Sequence, residues 1–312
     1  MSGCASGKQK TDDEATDPET EIKTETELPG EFSFADLENI EFFFFNGIGG
    51  WGTRVHIAPD GKFLGEFKDS GIGNIDEGYP NGIVYRCDFK GQLTQPEKVN
   101  EYTYSVKIQE MNYEREAGTE EIKEGVLYRY SDAYGLEDAE NILIYLPGAP
   151  LAELSEEFRY WIMYSSELTY LPYYALNNEA KQYGFSSSDI AANVKALVDN
   201  NETYVSSMEN SIANDTLTQA ELNEITGSIY ENWDGALNEV WYYLTLVKSD
   251  EEMQPILKEQ REWVIEKERE VEAAGAEFEG GTMQPMIMNN KAAEMTKERV
   301  YELIDLFDKE GK

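Results

Sequence analysis

His56 is the only histidine in a chain of 312 residues, and little around it could do chemistry. A Ser-His-Asp or Cys-His arrangement needs a base, a nucleophile and an orienting group. One candidate base stands in "RVHIA", where strand alternation places it outward, and no nucleophile motif accompanies it. Zinc has no ligand set, since neither HExxH nor CxxC occurs. "NGIGGWG" lacks the spacing and the following lysine of a phosphate loop, and "PDGKF" lacks the ladder of acids of a calcium loop. With 62 acidic residues, no one pair stands out as the carboxylates of glycoside hydrolysis. The sequence predicts a protein that is not an enzyme and uses no cofactor or metal.

The charge balance, 62 acidic against 26 basic residues for a net charge of -36, argues against nucleic acid as a partner. Binding a polyanion starts from clusters of Lys and Arg, and none occur. A cationic partner, or calcium, suits this field; the plainer reading is that acidity keeps the protein soluble. Of the two cysteines, Cys87 sits in the strand-like "IVYRCDF", the usual place for a small buried apolar side chain, so no disulfide is expected. Cys4 follows Ser2 and Gly3 and precedes "ASGKQKTDDEATDPETEIKTETELPG", which holds one Ile and one Leu and cannot bury a core. The tripeptide resembles the end of a bacterial lipoprotein signal, whose cysteine becomes lipidated, with Met1 standing in place of the apolar leader. That resemblance implies a lipid anchor at Cys4, a tether over residues 1–30 and a location on the extracellular face of the cell membrane. The plainer alternative is a cytosolic protein with a frayed tail. No apolar run is long enough to span a bilayer, so a lipid would be the sole membrane contact.

From residue 31 the texture changes to short apolar runs punctuated by glycine. "EFFFF" is a strand, and "TRVHIAPDGKFLGEF" is a hairpin around Pro59-Asp60-Gly61. "GIVYRCDFKGQLTQ" alternates and turns near Lys90-Gly91; "EYTYSVKIQEM", "EGVLYRYSDAYG" and "ENILIYLPG" supply further strands. Such spacing without helical interludes predicts an antiparallel meander closed into a small barrel or sandwich. Ser155 caps a helix in "LAELSEEFRYWIMYSS" that turns Phe158, Trp161 and Ile162 inward. "ELTYLPYYALNNEAKQYGF", interrupted by Pro172, is expected as a helix or loop sealing one end of the sheet. Its tyrosines serve as core or lid, with a sugar- or peptide-binding platform as the alternative.

The last third has helical periodicity. A first helix opens at the serine run of "SSSDIAANVKALV", with Ile190, Val194, Leu197 and Val198 on one face. A second carries a stripe through Ile225, Ile229, Trp233, Leu237, Val240 and Leu244. A third starts at Ser249 and ends near Gly275, "EGGTMQPM" is a loop, and a last helix runs through "NKAAEMTKERVYELIDLF". The fold class is α+β: an N-terminal antiparallel β barrel or sandwich-like domain over 31–188, then a C-terminal helical bundle over 189–312.

Within the helical part, Thr218, Glu221, Asn223, Tyr230, Asp234, Leu237-Asn238, Leu257, Gln260-Arg261 and Trp263 stand in this order, followed by "EGGTMQP", Thr296 and Arg299. With this set the segment from Leu217 to Leu303 resembles the C-terminal domain of the LprI-like lysozyme inhibitor family of bacterial surface and periplasmic proteins. Lys267-Glu268 stands where an Arg-Asp pair is usual. Ile225, Val271 and Lys291 stand where cysteines are common, so the resemblance implies a domain held by packing alone. The front portion, with "YPNGIVY", "IYLPGAP" and "YLPYYALNNEAKQYGF", is similar to lipoproteins of Gram-positive anaerobes, which implies a location and no chemistry.

On the residues themselves, Gln260 and Arg261 are expected to clamp the third helix to the second, and Asn238 to bond a neighbouring helix or loop. Gly280 and Gly281 allow a turn that a side chain would block. A binding surface is expected first at Glu279, Gly280, Gly281 and Thr282, a loop placed by rigid helices, with Gln260 and Arg261 behind it. The function these features imply is a non-enzymatic cell-surface lipoprotein whose binding module engages a cationic protein such as lysozyme. The alternative is a structural lipoprotein whose β domain carries a small ligand.

Overall fold

The computed structural model describes residues 31–45, 50–71, 75–162 and 167–307. The chain divides into two units, residues 1–32 and 33–312, and every strand and helix among the described residues belongs to the second. Cys4 and the expected tether lie outside the described residues.

The strands are β1 (Ile40–Phe45), β2 (Trp51–Ile57), β3 (Lys62–Gly71), β4 (Ile83–Leu93), β5 (Glu97–Lys98) and β6 (Thr103–Val106). They continue with β7 (Ile108–Tyr113), β8 (Glu120–Lys123), β9 (Val126–Tyr130) and β10 (Ile142–Tyr145), then β11 (Ala175–Asn178) and β12 (Tyr183–Asp189) after the short helix α1 (Glu156–Trp161). Together they form one sheet in the order β5-β6-β10-β11-β12-β1-β2-β3-β4-β9-β8, with β7 beside a second stretch of β4. Every pairing is antiparallel except β4 with β9.

The expected closed barrel is an open, curled sheet. One residue, Lys107, carries the chain from β6, paired with β10, to β7, paired with β4. The ends of the order, β5 and β8, do not pair with each other. Inner-face side chains from both arms nevertheless meet around Val55, Phe63, Leu93, Val106, Ile142 and Leu176. Phe44 centres an aromatic cluster with Trp51, Tyr134, Trp161, Tyr183 and Phe185, at ring separations of 4.7 to 5.5 Å, the range in which tilted and edge-on pairs attract.

Two expectations for the sheet fail for a packing reason. Lys90-Gly91 is no turn: β4 runs straight through it, because a Cβ on Gly91 would lie 2.6 Å from the Phe63 ring. Gly65 on β3 does the same for Phe89, whose ring would lie 2.5 Å from an added Cβ. These glycines make room for rings from the neighbouring strand. "ALNN" and "YGFSSSD" are the β11–β12 hairpin, where sealing helix or loop was expected. α1 does begin as expected, with the Ser155 hydroxyl accepting from the Phe158 amide at 3.2 Å, and Phe158 and Ile162 are buried.

Four long helices follow: α2 (Ile190–Asn214), α3 (Gln219–Val247), α4 (Asp250–Gly275) and α5 (Gln284–Ile304). The serine run belongs to β12; α2 is capped by Asp189, whose carboxylate accepts from the Ala192 amide at 2.9 Å. Capping boxes at Thr218/Glu221 and Ser249/Glu252 start α3 and α4. α5 begins at Gln284 with Pro285 in its first turn, earlier than its apolar pattern suggests, because proline is tolerated where amides have no partner anyway. α3 packs along α5, with α2 against α3 and α4 against α5. Trp233, Val240, Leu244, Val300 and Leu303 are buried at 1% exposure or less, each worth roughly 1.5–3 kcal/mol of apolar burial.

Candidate functional site

The four loop residues, Glu279, Gly280, Gly281 and Thr282, come together at the turn between α4 and α5, and all are exposed. Gly280 has φ +71°, the left-handed backbone that favours glycine. Its amide donates to the Gln284 side chain at 3.0 Å. Asn223, near the start of α3, donates from Nδ2 to the Thr282 carbonyl at 3.0 Å, while Asn289 of α5 donates to the Asn223 carbonyl at 3.3 Å. The loop is thereby pinned to two helices and still presents its backbone and the exposed Met283. Around it the charge has one sign. Residues 196–247 and 270–290 contain no Lys or Arg, and Asp215, Glu221, Glu224, Glu277 and Glu279 are exposed at this end.

Gln260 and Arg261 are not part of the loop. Gln260 lies about four helical turns back along α4. Its Oε1 accepts from Arg299 Nε at 2.9 Å, and Arg299 Nη1 bonds Glu302 at 2.8 Å. Gln260 therefore ties α4 to α5, and the expected clamp onto α3 is corrected, because α4 packs against α5. Arg261 points to solvent. The link between α3 and α4 is Lys267. Its ammonium is 3.1 Å from the Tyr230 hydroxyl and 3.7 Å from Asp234, and it faces the Tyr230 and Trp263 rings at 5.1 and 5.0 Å. Asn238 bonds Asp234 one turn back on its own helix instead of a neighbouring element.

A second polar constellation, where the sheet meets the helices, escaped sequence reasoning. Glu41 on β1 is 0% exposed. Its Oε1 accepts from the Tyr242 hydroxyl of α3 at 3.3 Å and its Oε2 from Asn193 Nδ2 of α2 at 3.4 Å. Arg54 on β2 stacks 3.8 Å from the Tyr242 ring centre and pairs with Glu239 at 2.8 Å and Glu66 at 2.7 Å. Burial pushes the Glu41 carboxyl up to about 7, against the pull of Arg54 and of hydrogen bonds from Tyr243 and Tyr242. Burial likewise raises both tyrosine hydroxyls, so they stay protonated donors. In sequence the residue is one acid among 62 before a phenylalanine run, and only the cover of α2 and α3 makes it unusual.

His56 is not outward and wet: it is 3% exposed, beside Glu41 in register on the face that meets the helices, with Nδ1 3.0 Å from the Ile40 carbonyl. Burial lowers its pKa. Cys87 is free and buried, its thiol pushed up to about 12 by burial first and by Asp88 and Asp132 second. Among the described residues no group of three or more His, Cys, Asp or Glu is placed to hold a metal ion, and no helix is long and apolar enough to cross a membrane.

Sheet, helices and pinned loop define an α+β protein with a helical module at its C-terminal end. Within that module, residues 210–303 match the family described as lysozyme inhibitor LprI. An uncharacterized protein of Rhizobium meliloti (strain 1021) is 28% identical over 105 residues, covering 30% of this chain and 76% of the relative. No solved structure matches.

Proposed function

We propose that this chain is a non-enzymatic, surface-anchored binding protein whose LprI domain captures a cationic protein such as lysozyme. The carrying observation is the family match over 210–303 falling on helices whose exposed loop end is acidic and free of Lys and Arg. Glu279, Gly280, Gly281 and Thr282 would make contact through backbone and carboxylate, preorganised by Asn223 and Gln284. Gln260 and Lys267 hold the helices that carry them. From residue 201 onward 25 acids face 10 bases, a field that steers a cationic partner and fades with salt. Where the family commonly has cysteines, Ile225 and Val271 are half-buried apolar side chains and Lys291 pairs with Glu294 at 3.0 Å, so packing takes the place of cross-links. In this reading Cys4 carries the lipid that holds the module outside the cell, and nucleic acid is no partner.

The rival reading, a β region that encloses a small ligand, is disfavoured. The apolar void between the two arms of the sheet measures about 10 Å³, room for one water at most. Size-exclusion chromatography of the chain with lysozyme, together with turbidity assays of cell-wall lysis, tests the proposal. Co-elution and slowed lysis at low ionic strength, both lost at high ionic strength, are expected. Separate elution at low ionic strength overturns it.

A further inference from the structure

One side of β7 is unused. The strand pairs with β4 alone, while β9 and then β8 continue the sheet along the other half of β4. The Glu114 amide donates to the Asp88 carbonyl at 2.9 Å. Backbone groups alternate in direction along a strand, so those of Asn112 and Glu110 also point to β4, opposite Lys90 and Gln92, and those of Met111 and Tyr113 point away. Among the described residues nothing bonds these outward groups. The strand stands clear of its surroundings on that side: Gln109, Glu110, Asn112 and Glu114 are exposed, and Tyr113 is 42% exposed. An N–H and a C=O on each of two residues, in line along an extended backbone, form a template for one more strand.

The side chains give this edge two different sides. Glu110 and Glu114 lie on the outer face, four residues and about 13 Å apart at ~3.4 Å per residue. Glu110 accepts from the Asn112 side chain at 2.8 Å, and neither acid makes an ion pair among the described residues. The neighbouring cations do not neutralise them: Arg86 is held bidentate by Asp88 at 2.6 and 2.8 Å, and Lys90, opposite Asn112, pairs with neither. Met111 and Tyr113 lie on the inner face, opposite Gly91 and Phe89. The edge is therefore acidic on one face and apolar on the other.

We infer that the free edge of β7 takes up an extended segment of a partner protein in which basic and apolar residues alternate. The segment's backbone pairs with the outward groups of Met111 and Tyr113, the strand-addition mode of peptide recognition. Residues two apart on an extended chain share a face, so cations at the first and fifth positions span the distance between Glu110 and Glu114 while the apolar residues between them meet Met111 and Tyr113. Carboxylates on an exposed edge in a chain of net charge -36 disfavour a second copy of the same acidic chain and favour a cationic one. The site shares no residue with the 279–282 loop and stands or falls apart from the lysozyme reading.

The test uses the full chain and two labelled peptides of one composition, acetyl-Lys-Val-Lys-Val-Lys-amide and acetyl-Lys-Lys-Lys-Val-Val-amide, followed by fluorescence anisotropy at moderate ionic strength. The overall field attracts both peptides alike, so a difference between them reports the alternation. Saturable binding several-fold tighter for the alternating peptide is expected. Met111→Pro removes one outward amide and none that pairs with β4, a substitution an edge strand tolerates, and should abolish the preference with circular dichroism unchanged. Glu114→Lys, at an exposed position, should abolish it as well. Equal binding of the two peptides, no binding of either, a preference untouched by both substitutions, or a dimer in sedimentation that Met111→Pro dissolves, which would seat a second copy on the edge, overturns the inference.

Discussion

Glu41 makes stability itself depend on pH near neutrality. Its carboxyl is displaced from 4.5 to about 7, chiefly because β1, α2 and α3 exclude water from it. At 1.36 kcal/mol per unit, that displacement is worth roughly 3 kcal/mol. Its sign follows from proton counts. Between 4.5 and about 7 the folded chain keeps a proton that the unfolded chain has released, so raising the pH favours unfolding. The contribution is fully present below 4.5 and lost as pH rises through about 7. Glu41→Gln is uncharged throughout and lacks this decline. Urea unfolding followed by tryptophan fluorescence, in the parent and in Glu41→Gln, from pH 4.5 to pH 8, isolates the residue from the other acids, which titrate alike in both proteins. The stability difference between the two should shift by about 3 kcal/mol toward the variant across that window. Parallel pH profiles would refute the assignment of a buried proton to Glu41.

Other expectations are independent of it. Gly65→Ala pushes a methyl against the Phe89 ring and the Arg54 carbonyl and should cost roughly 1–3 kcal/mol in denaturant unfolding. Gly235→Ala, on α3 with nothing within 4 Å of an added Cβ, should instead stabilise by about 0.5–1 kcal/mol; similar changes in both would contradict the packing described. Asn223→Ala releases the Thr282 carbonyl and should cost about 1 kcal/mol while speeding amide exchange at residues 280–283, as hydrogen-exchange mass spectrometry would detect. The Cys87 thiol, pushed up to about 12 in the core, should resist alkylation at neutral pH until denaturant is added; rapid native-state labelling would contradict its burial.

The helices were legible because their apolar stripes at period 3.6 are the faces they bury: Val194, Ile229, Trp233, Val240 and Val300 are all in the core. Caps were legible where the capping residue and its acid stand three apart, as at Ser249 and Glu252. The β11–β12 hairpin was not, because Asn177 and Asn178 suggest a turn in isolation and are buried here by distant partners. Asn177 lies 3.4 Å from the Tyr145 hydroxyl, and Asn178 donates to the carbonyls of Gly135 and Glu137. Gly91 misled for the same reason, since the ring that needs its missing side chain lies on another strand. Of the expected site residues, the loop cluster was legible as a glycine pair between helices. Which helix Gln260 serves was not, because α4 leans on α5, and chain order does not specify that choice. The Glu41–Arg54–Tyr242 junction joins residues 41 and 242, and no local pattern announces such a contact.

Isothermal titration of lysozyme into the full chain at low and at high ionic strength bears most directly on the proposed role of the acidic helical domain. Saturable binding at low ionic strength that weakens steeply with added salt, and that is reduced by Glu279→Lys in the exposed loop, is the expected result. Absence of binding at low ionic strength, or affinity indifferent to both salt and Glu279→Lys, would contradict it.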